Sequence, residues 1–552
     1  MSVSDLPPDS APASAATQHN HGVRPARAGG SPRAGRISNG PRAIRQRLNV
    51  VAVDLGAESG RVMLGQFDGR QLTLTEAHRF PNGARAVDGL LRWDLTTLWE
   101  QIRIGMAKAA TLLPTGEEIV SVGVDTWGLD YGLLDADGQL INDPVSYRDP
   151  RTRGMLAEAV RLVGRRRLYA ETGIQLMEVN TIYQLLAEVR AGGADLQKAR
   201  TLLLIPDLFH HLLSGQAVAE YTEASTTGAY DVANRRWATG LLSDLGIPTE
   251  MLPEVVEAGT DLGLLLPPLR EELGVAYGRT RVITPGSHDT ASAVVSVPFT
   301  DPAAAYISSG TWSLVGVETD QPVLTEAARL ANLTNEGGVL GTIRLLRNCM
   351  GLWILQECRR QWEREGKRYT YQELVDLASA APGGVSVINP DHPDFVTPGD
   401  MPERIRQYCR RTGQPVPINV AAIARCVLDS LALRYRMAFT DLGEVTGRPV
   451  SRIHIVGGGS RNTLLNQLTA DAAGLEVVGG PVEATAMGNV LMQLHALGEV
   501  SGLEQMREVV RTSAHPHTVT PTDPGRFTDL YGRFTEWVAA DLAEAGITDK
   551  TD

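Results

Sequence analysis

The chain has 552 residues, 43% hydrophobic and 21% charged, a length and balance that suit two or more globular domains. Its net charge of -12 argues against nucleic acid as the main partner, since binding a phosphate backbone requires a basic face; small anions stay open, because local loops hold them. Four cysteines, at 349, 358, 409 and 426, are too few and too scattered for a disulfide framework or a zinc site, and no apolar run approaches the roughly 20 residues of a membrane span.

Residues 1–48 carry seven arginines against Asp5 and Asp9, are rich in Pro, Ser, Ala and Gly, and hold almost no large apolar side chain. Such a segment buries too little to offset its ordering entropy, so a disordered N-terminal extension is expected, a passenger rather than a tail for RNA or a partner. It lacks the apolar stretch of a secretory signal, which makes the cytoplasm the expected address.

Leu48 opens the folded part. An apolar strand reaches Asp54, a Gly-Ala-Glu-Ser-Gly turn follows at 56–60, and Arg61 resumes the strand pattern, so a hairpin is expected. Backbone N–H groups in such a turn suit a phosphate, and Asp54 suits a Mg²⁺ with its waters. Leu95–Leu113 reads as an amphipathic helix. Ile119–Val124 reads as a buried strand ending in Asp125-Thr126-Trp127-Gly128, and a second hairpin is expected over Leu129–Leu134, closed by Asp135-Ala136-Asp137-Gly138. Residues 144–153 form a loop before a long helical region at 152–200, and 201–280 mixes short helices and loops.

Residues 283–313 hold the densest chemistry. Ser287-His288-Asp289-Thr290 places a carboxylate beside an imidazole and two hydroxyls, suited to taking a proton from an alcohol; Asp125 is the rival base. Residues 303–318 predict a second strand pair around Ser308-Ser309-Gly310-Thr311, a turn that suits an anion, so strand, small turn and strand recur in each half. Val297–Ala303, with Pro298 and Pro302, reads as the hinge between the halves. Residues 331–338 read as a loop, Ile343–Leu346 as a short strand before Asn348, and Met350–Trp362 and Ile423–Val445 as helices. Strand Arg452–Val456 runs into Gly457-Gly458-Gly459 and a helix at Thr463–Ala473, which suits a nucleotide lying on backbone at a helix N-terminus, or simple tight packing.

Nine blocks in one order, among them VAVDLGAESGRVMLG, GVDTWGLDYGLLD, SHDTASAVVSVP, YISSGTWSL, NLTNEGG and HIVGGGSRNTLLNQLTADA, resemble the FGGY carbohydrate kinases of the actin–Hsp70–sugar-kinase superfamily over about Asn49–Thr520. The resemblance implies an α/β chain of two ribonuclease H-like (actin-like ATPase) domains around a central cleft: 49–297 on the sugar side, 298–525 on the nucleotide side, 526–552 a closing helix and tail. It implies an enzyme that phosphorylates a primary hydroxyl of a ketose with ATP and Mg²⁺, as a monomer or small homo-oligomer, with no membrane partner. Asp289 is then the general base, and Gly128, His288, Asp289, Thr290 and Asn348 hold the sugar. Ala57, Glu58, Ser59, Gly60, Arg61, Thr311, Gln356 and Gly458 hold ATP, and Asp54 the metal. Glu58 departs from the serine expected there and brings an acid to a polyphosphate site. Some related kinases pair cysteines near Cys409 and Cys426, a bridge a reducing cytoplasm does not require. An ATP-switched chaperone would need a peptide-binding domain the length does not accommodate, and a sugar-sensing regulator would need an N-terminal helix-turn-helix. Deleting the N-terminal extension is expected to leave kcat/KM and melting temperature unchanged; a loss of several degrees in a thermal melt would show that it docks on the fold.

Overall fold

The computed structural model describes residues 47–544. The extension expected over 1–48 lies, up to residue 46, outside the described residues, as do the last eight of the tail.

Two sheets share one strand pattern. The first contains β1 (Leu48–Leu55), β2 (Ser59–Phe67), β3 (Leu72–Pro81), β4 (Ile119–Thr126), β5 (Asp261–Leu264) and β6 (Arg281–Ile283), in the order β5-β6-β4-β1-β2-β3. β1, β2 and β3 are consecutive antiparallel neighbours, and β4 and β6 run parallel to β1. The second contains β7 (Ala305–Ser309), β8 (Trp312–Thr319), β9 (Thr334–Gly337), β10 (Ile343–Met350), β11 (Ile453–Val456), β12 (Val477–Gly479) and β13 (His517–Val519), ordered β9-β10-β8-β7-β11-β12-β13. Again three antiparallel strands (β10, β8, β7) are followed by two strands parallel to the first (β11, β12). The repeat expected from two similar hairpins is therefore a repeat of whole sheets.

β1 reads as an unbroken apolar run because it is covered on both faces. Val51, Val53 and Leu55 pack with Leu98, Ile102 and Met106 of helix Leu95–Thr111. Val50 and Ala52 pack with Val490 and Leu491 of helix Ala484–Ala496. That second helix comes from the other half of the chain. It is tied to the first sheet by Gln493 Nε2 donating to Val51 O at 3.0 Å and Asn489 Nδ2 to Asp125 Oδ2 at 2.6 Å.

Four local expectations change. Tyr131–Leu134 takes Thr201–Leu204 as its antiparallel partner rather than its own return chain; the turn closes, with Asp135 N donating to Gln139 O, but the polar run to Pro144 makes only a bridge at Leu140. The region 152–200 is broken into helices Met155–Val163, Arg165–Thr172, Thr181–Arg190 and Ala194–Lys198, interrupted where Gly164 (φ +81°) and Gly173 (φ +66°) take left-handed backbone. Thr334–Gly337, read as loop, is a buried strand on β10. β10 runs past the expected end at Leu346 to Met350; in the stretch 297–303, Val297 and Phe299 are buried in one cluster with Ala304 and Tyr306, while Thr300 and Pro302 are exposed.

Helix Asp289–Val295 crosses helix Ala484–Ala496 so closely that a Cβ on Gly488 would stand 1.8 Å from Ser292 O. Gly488→Ala is therefore expected to destabilise the apo protein by about 1–3 kcal/mol or more in urea unfolding, whereas the exposed Gly240→Ala, with open space around it, leaves the midpoint nearly unchanged.

Candidate active site

The carboxyl ends of the parallel strands in the first sheet are knitted together. Trp127 N donates to Leu55 O at 3.1 Å and Thr126 N to Ser287 O at 2.8 Å. Gly56–Glu58, Trp127-Gly128 and Ser287–Asp289 thereby meet at one edge, where open α/β sheets place their ligands. They face the Ser308–Thr311 turn and Gly457-Gly458 of the second sheet across a cavity of about 310 Å³.

Asp54, Ala57, Glu58, Ser59, Arg61, Gly128, His288, Asp289, Thr290, Thr311, Asn348, Gln356 and Gly458 all line this cavity. Gly60 does not. A Cβ there would stand 2.3 Å from Phe80 and 2.8 Å from Leu55, so its glycine serves packing behind the turn. Gly128 has a steric reason of the opposite kind, since a Cβ would project into the cavity, to 3.3 Å from Thr226 Oγ1 and 3.4 Å from His288 Nε2. In the glycine triplet, Gly457 and Gly459 are demanded by contact with Ser309, whereas a Cβ on Gly458 meets nothing within 4 Å. Packing does not explain Gly458.

The two rival bases differ in access. Asp289 opens helix Asp289–Val295 with 32% of its side chain exposed to the cavity. Crowding by protein raises its carboxyl above the ordinary range, His288 lowers it, Asp54 raises it, and Thr290 Oγ1 donates to Oδ1 at 3.1 Å. Asp125 is fully buried and bonded to Asn489, with burial and then Asp54 pushing it well above the usual carboxylate range. From there it cannot touch a substrate hydroxyl.

The first turn is held open to an anion. Asn82 N donates to Glu58 O at 3.0 Å and Asn82 Nδ2 to Gly56 O at 2.8 Å, which turns carbonyls away; the N–H groups of Ala57 and Glu58 have no acceptor among the described residues. Glu58 pairs with Arg360 on helix Trp353–Arg364, so the acid turns away from the place where phosphate oxygens would lie. Arg61 pairs with Asp54 and with Glu483, and the Asp54 charge, against the cost of burial, raises its already high pKa.

Residues that sequence reasoning left unassigned complete the sugar side. Glu336 lines the cavity, 3% exposed. Its carboxylate lies 3.1 Å from Arg344 Nη1 and 3.4 Å from His288 Nδ1, and it accepts from Asn348 Nδ2 at 3.3 Å. Burial opposes its charge, but Arg344, His288 and Asn348 more than offset this and hold it below the ordinary glutamate value. Arg344 Nη2, fully buried, also donates to His288 Nδ1 at 3.1 Å, leaving Nε2 to carry the proton 3.5 Å from Asp289. The one available signal was Arg344 inside the apolar start of β10; Glu336 lies in the polar run Thr-Asn-Glu-Gly and carried none.

Among the described residues no cluster of three His, Cys, Asp or Glu is able to hold a metal ion. Mg²⁺ does not require one, since it binds through one or two carboxylates plus nucleotide phosphates and water. Asp54, a nearly buried carboxylate beside the phosphate turn, fits that role. Cys409 and Cys426 are buried and unbridged.

Family models of the N-terminal and C-terminal domains of the FGGY family of carbohydrate kinases match residues 49–296 and 305–497. The chain belongs to the FGGY family of carbohydrate kinases. It is 44% identical to a rhamnulokinase of Pectobacterium carotovorum over 91% of this chain and 99% of the relative, and 43% identical to one of Bacteroides thetaiotaomicron over 89% and 100%. Its fold matches the ligand-bound xylulose kinase of Lactobacillus acidophilus (TM-score 0.72, 17% identity, 90% and 98% covered) and the ADP-bound glycerol kinase of Plasmodium falciparum (0.67, 14%, 92% and 99%). The duplicated sheets are thus the two actin-like halves of an FGGY kinase, an enzyme that takes ATP as co-substrate.

Behind the Ser287–Asp289 loop of this FGGY kinase lie Asp207, Glu220 and Glu223, all fully buried, in a stretch whose sequence revealed little. Glu220 Oε2 accepts from Ser287 N at 3.0 Å, bracing the His288-Asp289 backbone, and burial pushes its carboxyl from 4.5 up to about 8. The folded state keeps a proton that the unfolded chain has lost, so this group costs stability progressively as pH rises from 4.5 to about 8. Urea unfolding at pH 5, 6.5 and 8 should show a smaller loss of stability with rising pH for Glu220→Gln than for the native chain.

Proposed function

We propose that this FGGY kinase transfers the γ-phosphoryl group of ATP to the 1-hydroxyl of L-rhamnulose, giving L-rhamnulose 1-phosphate and ADP, in L-rhamnose catabolism. The observation that carries the reading is identity of 44% and 43% to two rhamnulokinases over about nine-tenths of the chain. The residues supply a coherent route. Asp289 accepts the hydroxyl proton as the sugar oxygen forms its bond to the γ-phosphorus and the bond to the β–γ bridging oxygen breaks, with ADP leaving. Phosphoryl transfer is loose, so positioning matters more than base strength. His288, Thr290, Asn348 and the open space at Gly128 orient the sugar.

On the nucleotide side, the free N–H groups of Ala57 and Glu58, together with Ser59, Arg61 and Thr311, receive phosphate oxygens, and Gln356 and Gly458 approach the adenosine. Asp54 would hold a Mg²⁺ that arrives with ATP and neutralises developing phosphate charge. We assign 49–297 to the sugar side and 298–525 to the nucleotide side, noting that helix Ala484–Ala496 of the latter packs under the first sheet. We place the enzyme in the cytoplasm, where ATP is supplied, as a monomer or small homo-oligomer that uses neither nucleic acid nor membrane; no described helix is long and apolar enough to cross one.

ATP-dependent phosphorylation across L-rhamnulose, L-fuculose, L-xylulose and D-xylulose, with the product position read by NMR, tests the reading. L-rhamnulose is expected to have the highest kcat/KM, and a higher value on another ketose overturns the assignment. Asp289→Asn is expected to lower kcat by about 10²–10⁴-fold with sugar and ATP binding retained in calorimetry. Retention of more than a tenth of native kcat would remove Asp289 from the base role.

A further inference from the structure

The segment 173–180 joins helix Arg165–Thr172 to helix Thr181–Arg190 and contributes Ile174, Met177 and Asn180 to the lining of the cavity. It is anchored on the second half of the chain by its backbone and by Gln175. Asn335 N and Nδ2 donate to Gly173 O at 2.8 and 3.1 Å, and Leu176 N donates to Asn332 Oδ1 at 2.9 Å. Gln175 exchanges both its amide groups with the backbone of Asn348, accepting from N at 2.8 Å and donating to O at 3.2 Å. Gly173 is required at the entry: its φ is +66°, and a Cβ would stand 2.7 Å from Leu324. A connecting loop held by this many bonds is a built wall of the site.

Its place along the sugar follows from the chain of polar contacts. Asp289 lies 3.5 Å from His288, His288 3.4 Å from Glu336, Glu336 3.3 Å from Asn348, and Asn348 2.8 Å from Gln175. The polar wall therefore starts at the base and ends at this segment. A ketose whose O1 is at Asp289 runs along His288 and Asn348 and brings its far carbons towards Ile174 and Met177, which are three apart and both apolar.

We infer that Ile174 and Met177 are specificity residues of the sugar site, forming an apolar wall that receives the unhydroxylated terminal methyl group of a 6-deoxyketose. The inference rests on the reading of the chain as a kinase acting at O1 of L-rhamnulose. A hydroxymethyl in place of the methyl would bring a hydroxyl to this wall without a partner from either side chain, a discrimination of up to about 10²-fold in apolar pockets.

L-fructose differs from L-rhamnulose only by the hydroxyl on C6, so the ratio of kcat/KM for the two sugars reads the wall directly. The native enzyme is expected to prefer the deoxy sugar. Met177→Gln and Ile174→Thr are each expected to narrow that ratio several-fold, through kcat/KM on L-rhamnulose, with the KM for ATP unchanged. Met177→Leu, which keeps the surface apolar, should retain the native ratio. An unchanged ratio in both polar variants, or an equal loss on both sugars, overturns the inference while leaving the kinase reading intact. A native enzyme inactive on L-rhamnulose would overturn the kinase reading itself, and with it this proposal.

Discussion

Three aspartates on adjoining strand ends, Asp54, Asp125 and Asp289, press on one another, and a single guanidinium, Arg61, stands among them. Like charges this close do not all ionise cheaply. The fold resolves the conflict by access: Asp125 is sealed against Asn489 with its charge strongly disfavoured, Asp54 pairs with Arg61, and Asp289 faces the cavity beside the His288 ring. Of the three, only Asp289 has a substantially exposed side chain.

The second constraint is that neither half builds the site alone. Glu58 of the first turn reaches Arg360, Arg61 reaches Glu483, and Asn335 of β9 clasps the segment that carries Ile174 and Met177. Helix Ala484–Ala496 belongs to the second half by sequence yet seals the first sheet, with a glycine at the crossing because Ser292 leaves no room for a side chain. Any movement of the halves past one another has to keep this helix pair as its pivot or repack it, since cores rearrange between discrete packings rather than deforming smoothly.

Buried charge recurs around the sugar side. Arg344 and Glu336 neutralise each other beneath His288, while Asp207, Glu220 and Glu223 lie behind the loop and carry raised pKa values from burial. The first arrangement orients a ring that faces substrate. The second holds the backbone of Ser287 and His288 through Glu220 and Thr222, at a cost in stability as pH rises.

The sequence by itself determined the two hairpins with small turns, the strand that leads into three glycines, the long helices and the catalytic loop, because each is encoded by neighbours: alternation or runs of apolar residues, and glycine where backbone must bend. From those local signals the family and the fold were legible, and thirteen of the fourteen residues singled out for the site line the cavity. Packing settled what depends on faces that meet through the fold and not along a local pattern. It gave Tyr131–Leu134 its partner at Thr201–Leu204, turned Gly60 inward against Phe80, aimed Glu58 at Arg360, made Thr334–Gly337 a strand with Glu336 lining the cavity, and left Asp289 partly exposed while burying Asp125. No local pattern distinguishes two aspartates that each follow a buried strand; only the packing around them sets which one water and substrate can reach.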